Sequence, residues 1–365
     1  MLFVHKAKFV LFIFLAFSAL YCSQCQGQAA LLLEEPYGFF GAINPTGHNA
    51  MYFARICAET PTKLRRCQPG ELGTVIARYQ GINSYDWIAV PLIPYFYSVE
   101  TAEQIPERVT REQVNLMREH YYEAHLQQSL GDDVLRGNLV HGGWTQLLGT
   151  SYERRTYVFR FDTTEEQDDA LIESMNSEPN RSHFNLFYNN CAEFARLILN
   201  TYFPRTFRRS IFPDVGMTTP KQITYKLVRY ARKHPDAHLQ IYEIEQIPGY
   251  RRMSRANKSI AESLTTTAYA VPILLMNPYL AGGIFADYLA RGRFKLVLRN
   301  PDVLKPQEFS ALTDHAAPNE NPASVGFLAP GATVGDSAGN HAPQTVHSGL
   351  EGIRISNERT GTAEP

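Results

Sequence analysis

Cys191 and His48 are the residues of this 365-residue chain whose type and setting best suit catalysis. Cys191 lies in HFNLFYNNCAEFARLILNTYFP (183–204), where an aromatic run passes into a helical spacing. Phe194, Leu197, Ile198 and Tyr202 form one apolar face of that helix, and Pro204 ends it. With Asn189 or Asn190 as its cap, Cys191 falls in the first turn, where unpaired N–H groups and the macrodipole favour an anion. A thiol so placed is expected to have a lowered pKa. The same N–H groups, with Asn190, would hold the oxyanion of a tetrahedral intermediate. The plainer alternative is a buried structural cysteine. His48, in NPTGHNAMYFARI, opens a strand directly after a Pro/Gly turn, so its ring can project from a sheet edge as a general base. As a loop residue it would do nothing of the kind. The chemistry open to such a pair is acyl transfer through a thioester at Cys191.

The elements that must position the pair are readable from periodicity. Residues 35–100 read as β: NAMYFARIC, GTVIARY and WIAVPLI are short, β-branched and aromatic, with Gly, Pro and Asn between them. A helix spans about 108–129, with Val114, Met117, Tyr121 and Ala124 at helical spacing, and leads to a Gly-rich loop. TYVFRF alternates as a strand, and Thr164 with Gln167 forms a capping-box pattern that opens an acidic helix.

Composition bounds the rest. The chain is 44% hydrophobic and 19% charged, as a folded protein is, and its net charge of −1 excludes a globally basic nucleic-acid binder. Residues 1–29 read as a signal peptide: His5, Lys6 and Lys8, an apolar run from Phe9 to Tyr21, then small and polar residues, with an uncleaved N-terminal anchor or a lipoprotein signal at Cys22 or Cys25 as the alternatives. The protein is therefore expected to be exported and extracytoplasmic. In an oxidising compartment Cys57 and Cys67 would close a small disulfide loop, leaving Cys191 as the odd thiol. Between Arg205 and Lys258, twelve Lys or Arg face four Asp or Glu, a local charge of +8. An apolar stretch, 268–290, follows, interrupted by Pro272, Asn277, Pro278 and Asp287. It suits either contact with an anionic membrane or a buried core hairpin. From 306 to 365 the chain is small and polar, and is expected to be disordered.

GHNAMYF at a strand start, followed much later by NCAEF at a helix start, resembles the circularly permuted branch of the NlpC-type papain-like superfamily, to which lecithin retinol acyltransferase-like proteins belong. Asn190, Cys191 and Phe194 match its Asn-Cys-x-x-Phe pattern. The order of Gly47-His48, YVFRFDTTEEQDDALIESM, FNLFYNNC and the following helix is similar to that of the bacterial Lnb N-terminal periplasmic domain family, over roughly residues 40–203. This resemblance implies an α+β fold, with an antiparallel sheet packed on the cysteine-bearing helix. It implies Cys191 as nucleophile and His48 as general base, without metal or organic cofactor. It also implies a third residue orienting the histidine. Tyr79 lies on the strand where that residue is expected, and Asn83 and Asp86 follow just beyond it.

The resulting expectation is a papain-like domain over 35–204, a basic and apolar membrane-proximal region over 205–300, and a tail. Its function would be that of an exported Cys/His acyltransferase or hydrolase acting on a lipid, lipoprotein or other cell-envelope substrate. The alternatives are a cell-wall peptide amidase or peptidase, and a non-catalytic binding module on the same scaffold.

Overall fold

The computed structural model describes residues 27–38, 41, 45–79, 82, 85–130, 143–182, 184–209, 214, 216–266, 270–289, 297–298, 301–313 and 325–326. Its centre is a seven-stranded sheet. The strands are β1 (Gly27–Glu34), β2 (His48–Phe53), β5 (Thr74–Ala77), β6 (Ile88–Pro91), β7 (Thr156–Thr163), β8 (Gln240–Ile244) and a two-residue strand, Asp302–Val303. Across the sheet the order is Asp302–Val303, β8, β7, β1, β2, β5, β6. Every pairing is antiparallel except that of Asp302–Val303 with β8. A separate hairpin, β3 (Ile56–Thr60) and β4 (Lys63–Arg66), carries the Cys57–Cys67 disulfide at one end.

Alternation along the strands builds two cores, one on each face. Ala30, Leu32, Ala50, Tyr52, Val75 and Val90 pack with α1 (Leu92–Tyr97) and α2 (Arg111–Tyr121). Helix α2 runs on through a π-helical turn, Tyr122–Leu126, to Leu130. On the opposite face Leu31, Leu33, Met51, Phe53 and Phe159 pack with α3 (Glu165–Ser177), α4 (Cys191–Tyr202) and α5 (Pro220–Ala231). Burial on both faces explains why β1 reads as a continuous apolar run, AALLL, with no polar alternation. Caps fix the helix starts as the residues dictate. Thr110 with Gln113 and Thr164 with Gln167 form capping boxes, and Thr219 accepts from Gln222 N.

The expected boundaries move in four places. Gly27, Gln28 and Ala29, assigned to the leader, belong to the central strand, where Ala29 faces both Phe53 and Phe161. No division falls at residue 204. Helix α5 buries Ile223, Leu227 and Val228 in the same core as α4, and β8 extends the sheet. The described part of the 268–290 stretch is largely exposed and is not a core hairpin. It forms two short helices, α7 (Ala270–Met276) and α8 (Pro278–Asp287), after α6 (Ile260–Thr266), and they expose Leu275, Met276 and Tyr279. No helix among the described residues is long and apolar enough to cross a membrane. Finally, the 306–365 tail begins in the core: Pro306–Leu312 is a 3₁₀ helix whose Phe309 lies 5.8 Å from Phe96 and 6.0 Å from Tyr97, centroid to centroid.

Candidate active site

Cys191 is the first residue of α4, and Asn190 caps it by accepting from Glu193 N at 2.8 Å. The Asn190 amide nitrogen donates to Leu186 O and Thr218 O, at 2.8 and 3.0 Å. Both ends of that side chain are thus committed to holding the helix start, and the oxyanion role expected of Asn190 is corrected to a structural one. The backbone N–H groups of Asn49 and Ala192 instead favour the Cys191 anion. Asn49 follows His48 on β2, and Cys191 and His48 both line one cavity of about 1050 Å³.

His48 reaches this place through a tight turn. Gly47 before it has φ of 76°, and a Cβ there would meet Asn257 Nδ2 at 2.0 Å and Glu34 O at 2.3 Å. The Asn257 amide bridges Glu34 O and Thr46 O, at 2.9 and 3.0 Å, and locks the entry to β2. The His48 ring stacks on Tyr79, with centroids 3.9 Å apart and planes 7° from parallel. Its Nε2 has no hydrogen-bond partner among the described residues. Glu34 stands opposite His48 in the register. Its carboxylate meets Arg154 at 2.8 Å, Tyr79 at 3.4 Å and the Tyr95 hydroxyl. Arg154 Nη2 also donates to the Tyr79 hydroxyl at 3.1 Å. Tyr79 therefore holds His48 by its ring face and is itself fixed by a buried ionic cluster.

The electrostatics correct one expectation. Burial pushes the Cys191 thiol up, to about 11, against the two N–H groups that favour its anion. Burial, with the Arg154 charge adding to it, holds His48 well below its ordinary 6.5. The resting pair is a neutral thiol and a neutral imidazole, not the thiolate that the helix position suggests. Desolvation outweighs the dipole here.

Of the other expected residues, Asp86 supports the cysteine helix from outside the cavity. It pairs with Arg78, whose Nη1 donates to Asn189 Oδ1 at 2.5 Å and whose guanidinium lies 4.7 Å from the Phe194 ring. Asn83 lies outside the described residues. Leu197, expected on the apolar face, is 48% exposed. Glu193 was not singled out, yet it anchors α4. Burial opposes its charge, but hydrogen bonds from Arg196, Arg209 and Thr218 hold it down at about 2. Glu34 and Arg154 also escaped the sequence reading, since each looks like an ordinary charge at a strand end.

No family model matches the chain, and no curated protein does. Among solved structures, the type VI secretion system effector TseH is similar over 56% of this chain and 90% of its own, at 13% identity and a TM-score of 0.26. A likeness that slight carries no argument. The chain's own architecture is that of an α+β protein with a mostly antiparallel sheet, and Cys191 and His48 line one of its cavities.

Proposed function

We propose that the protein is a cysteine-dependent acyltransferase or hydrolase on a permuted papain-like scaffold. The carrying observation is that Cys191, at a helix start with the Asn49 and Ala192 N–H groups favouring its anion, lines the same cavity as His48. In this reading Cys191 attacks an ester or amide carbonyl while His48 takes the thiol proton. The new C–S bond gives a tetrahedral oxyanion beside the Asn49 and Ala192 N–H groups. His48 then returns its proton to the departing alcohol or amine, leaving a thioester. Water or a second nucleophile attacks that thioester, His48 accepts its proton, and the thiol is restored.

Two further observations favour an exported, envelope-facing protein acting on a lipid or lipoprotein. The Cys57–Cys67 disulfide suits an oxidising compartment. Helices α7 and α8 expose apolar side chains, and Ile260, which opens α6 just before them, lines the cavity.

The test is intact-mass analysis after incubation with p-nitrophenyl butyrate. The expected result is a butyryl adduct on the wild type that hydroxylamine removes, absent in Cys191→Ala and formed at least 100-fold more slowly in His48→Ala. An adduct of equal yield in Cys191→Ala overturns the proposal.

A further inference from the structure

Five arginines, Arg78, Arg111, Arg118, Arg154 and Arg251, line the cavity of Cys191, against one acid, Glu153, among the described residues. Arg78 is paired with Asp86 and Arg154 with Glu34. The remaining three lie along another wall. Arg111, Asn115 and Arg118 recur at i, i+4 and i+7 of α2, so one face of that helix meets the cavity. Arg118 and Arg251 share the Glu153 carboxylate, at 3.3 and 3.4 Å, which leaves this wall with more positive than negative charge. Arg118 is 3% exposed, and its Nη2 has no hydrogen-bond partner among the described residues. A buried guanidinium nitrogen left without an acceptor is costly in an otherwise well-paired protein. Flat rings hold the guanidiniums in place: Arg251 lies 4.8 Å from the Tyr250 ring and 5.3 Å from that of Tyr37.

We propose that Arg111, Arg118 and Arg251, with the Asn115 amide, form a phosphate-binding subsite. The inference rests on the acyl-transfer reading, because the phosphate would belong to the molecule whose carbonyl Cys191 attacks. Three guanidiniums and an amide offer more donors than the two oxygens of a carboxylate can use, whereas a phosphate group accepts from all of them. Tyr37 joins the subsite to the chemistry. Its ring carries Arg251 on one side and Arg154, at 4.9 Å, on another, and Arg154 bonds the Tyr79 that stacks on His48. The phosphate is bound and not transformed. It fixes which way the acyl group lies.

The experiment is a thermal-shift titration of the full chain with inorganic phosphate, dihexanoyl phosphatidylglycerol and acetate. Wild type, Arg251→Gln, Arg111→Gln and Cys191→Ala are compared. Both arginine variants change exposed side chains and keep the apolar stem, and unliganded melting confirms that they fold. The expected result is saturable stabilisation by phosphate, with half-saturation raised at least 10-fold in each arginine variant and unchanged in Cys191→Ala. Tighter binding of the short lipid than of inorganic phosphate identifies a headgroup as the source, and the reverse order identifies a free phosphate compound. Equal effects of acetate and phosphate, or half-saturation unaffected by both arginine variants, overturn the subsite. The thioester is read by intact mass on butyryl transfer and the subsite by phosphate half-saturation, so failure of the one is distinguishable from failure of the other.

Discussion

At the Cys191 sulfur two effects compete, and their balance sets how the thiol reacts. Two N–H donors favour the anion, but burial carries the pKa to about 11. Alkylation by iodoacetamide should therefore climb by about tenfold per pH unit from pH 7 to 10 rather than level off near neutrality, as thiolate fraction controls the rate. The same profile is expected in His48→Ala, although acyl-enzyme formation is at least 100-fold slower there. A plateau at pH 6–7 that His48→Ala removes would show a preformed ion pair instead. His48 sets the acid limb of turnover. Its pKa is lowered, so it is neutral and able to accept a proton down to below 6.5, and kcat/KM should fall only under that pH. Tyr79 supports the ring by stacking, so Tyr79→Phe should retain most turnover, while Tyr79→Ala should lower kcat about 100-fold by letting the imidazole shift. A kcat for Tyr79→Ala within twofold of wild type would end the positioning role.

At the scale of elements, the helix that presents Cys191 depends on its start. Asn190→Ala removes the cap and two carbonyl contacts, and should cost at least the usual ~1–2 kcal/mol of a cap loss, measured by urea unfolding. The 3₁₀ helix beyond the last strand is equally part of the fold. Phe309→Ala should cost about 3–5 kcal/mol, which a solvated tail residue could not. These two elements mark what sequence could and could not show. The Cys191 helix was legible because Asn190, Phe194 and Tyr202 state a cap and an apolar period locally. The Phe309 segment was not, because a single aromatic among small polar residues carries no period, and its burial depends on Phe96 and Tyr97, more than 200 residues earlier in the chain. The start of strand β1 was misread for a related reason. Gly27, Gln28 and Ala29 are small or polar, as a cleavage site is, and only their partners on β2 and β7 distinguish them. The thiol's raised pKa was hidden likewise, since the first-turn position was local and the desolvation was not.

For the whole molecule, the central place of β1 constrains processing and export. If a leader is removed, the mature chain should begin at or before Gly27, as read by intact mass, because a cut after Ala29 discards Gly27, Gln28 and Ala29 from the middle of the sheet. The exposed α7–α8 pair, with Leu275 80% and Tyr279 91% exposed, should carry the protein onto anionic vesicles in flotation. Leu275→Asp with Tyr279→Asp should abolish flotation while leaving melting unchanged. Flotation that survives both charges would assign the contact elsewhere.

The clamp at the entry to β2 has a consequence for making the protein. Asn257 is followed by Lys258 and Ser259, and Asn180 by Arg181 and Ser182, so both asparagines stand in acceptor sequences for N-linked carbohydrate. Yet the Asn257 amide nitrogen bridges Glu34 O and Thr46 O, and that of Asn180 donates to Trp87 O. A sugar attached to either nitrogen as the chain emerged would occupy a place the fold needs, at Asn257 directly beside the turn that aims His48. Production through a glycosylating secretory route would thus yield misfolded chain, and a host without N-linked glycosylation avoids it, whereas alanine at Ser182 or Ser259 would remove bonds to Asp86 and Asn189 or to Glu262 N.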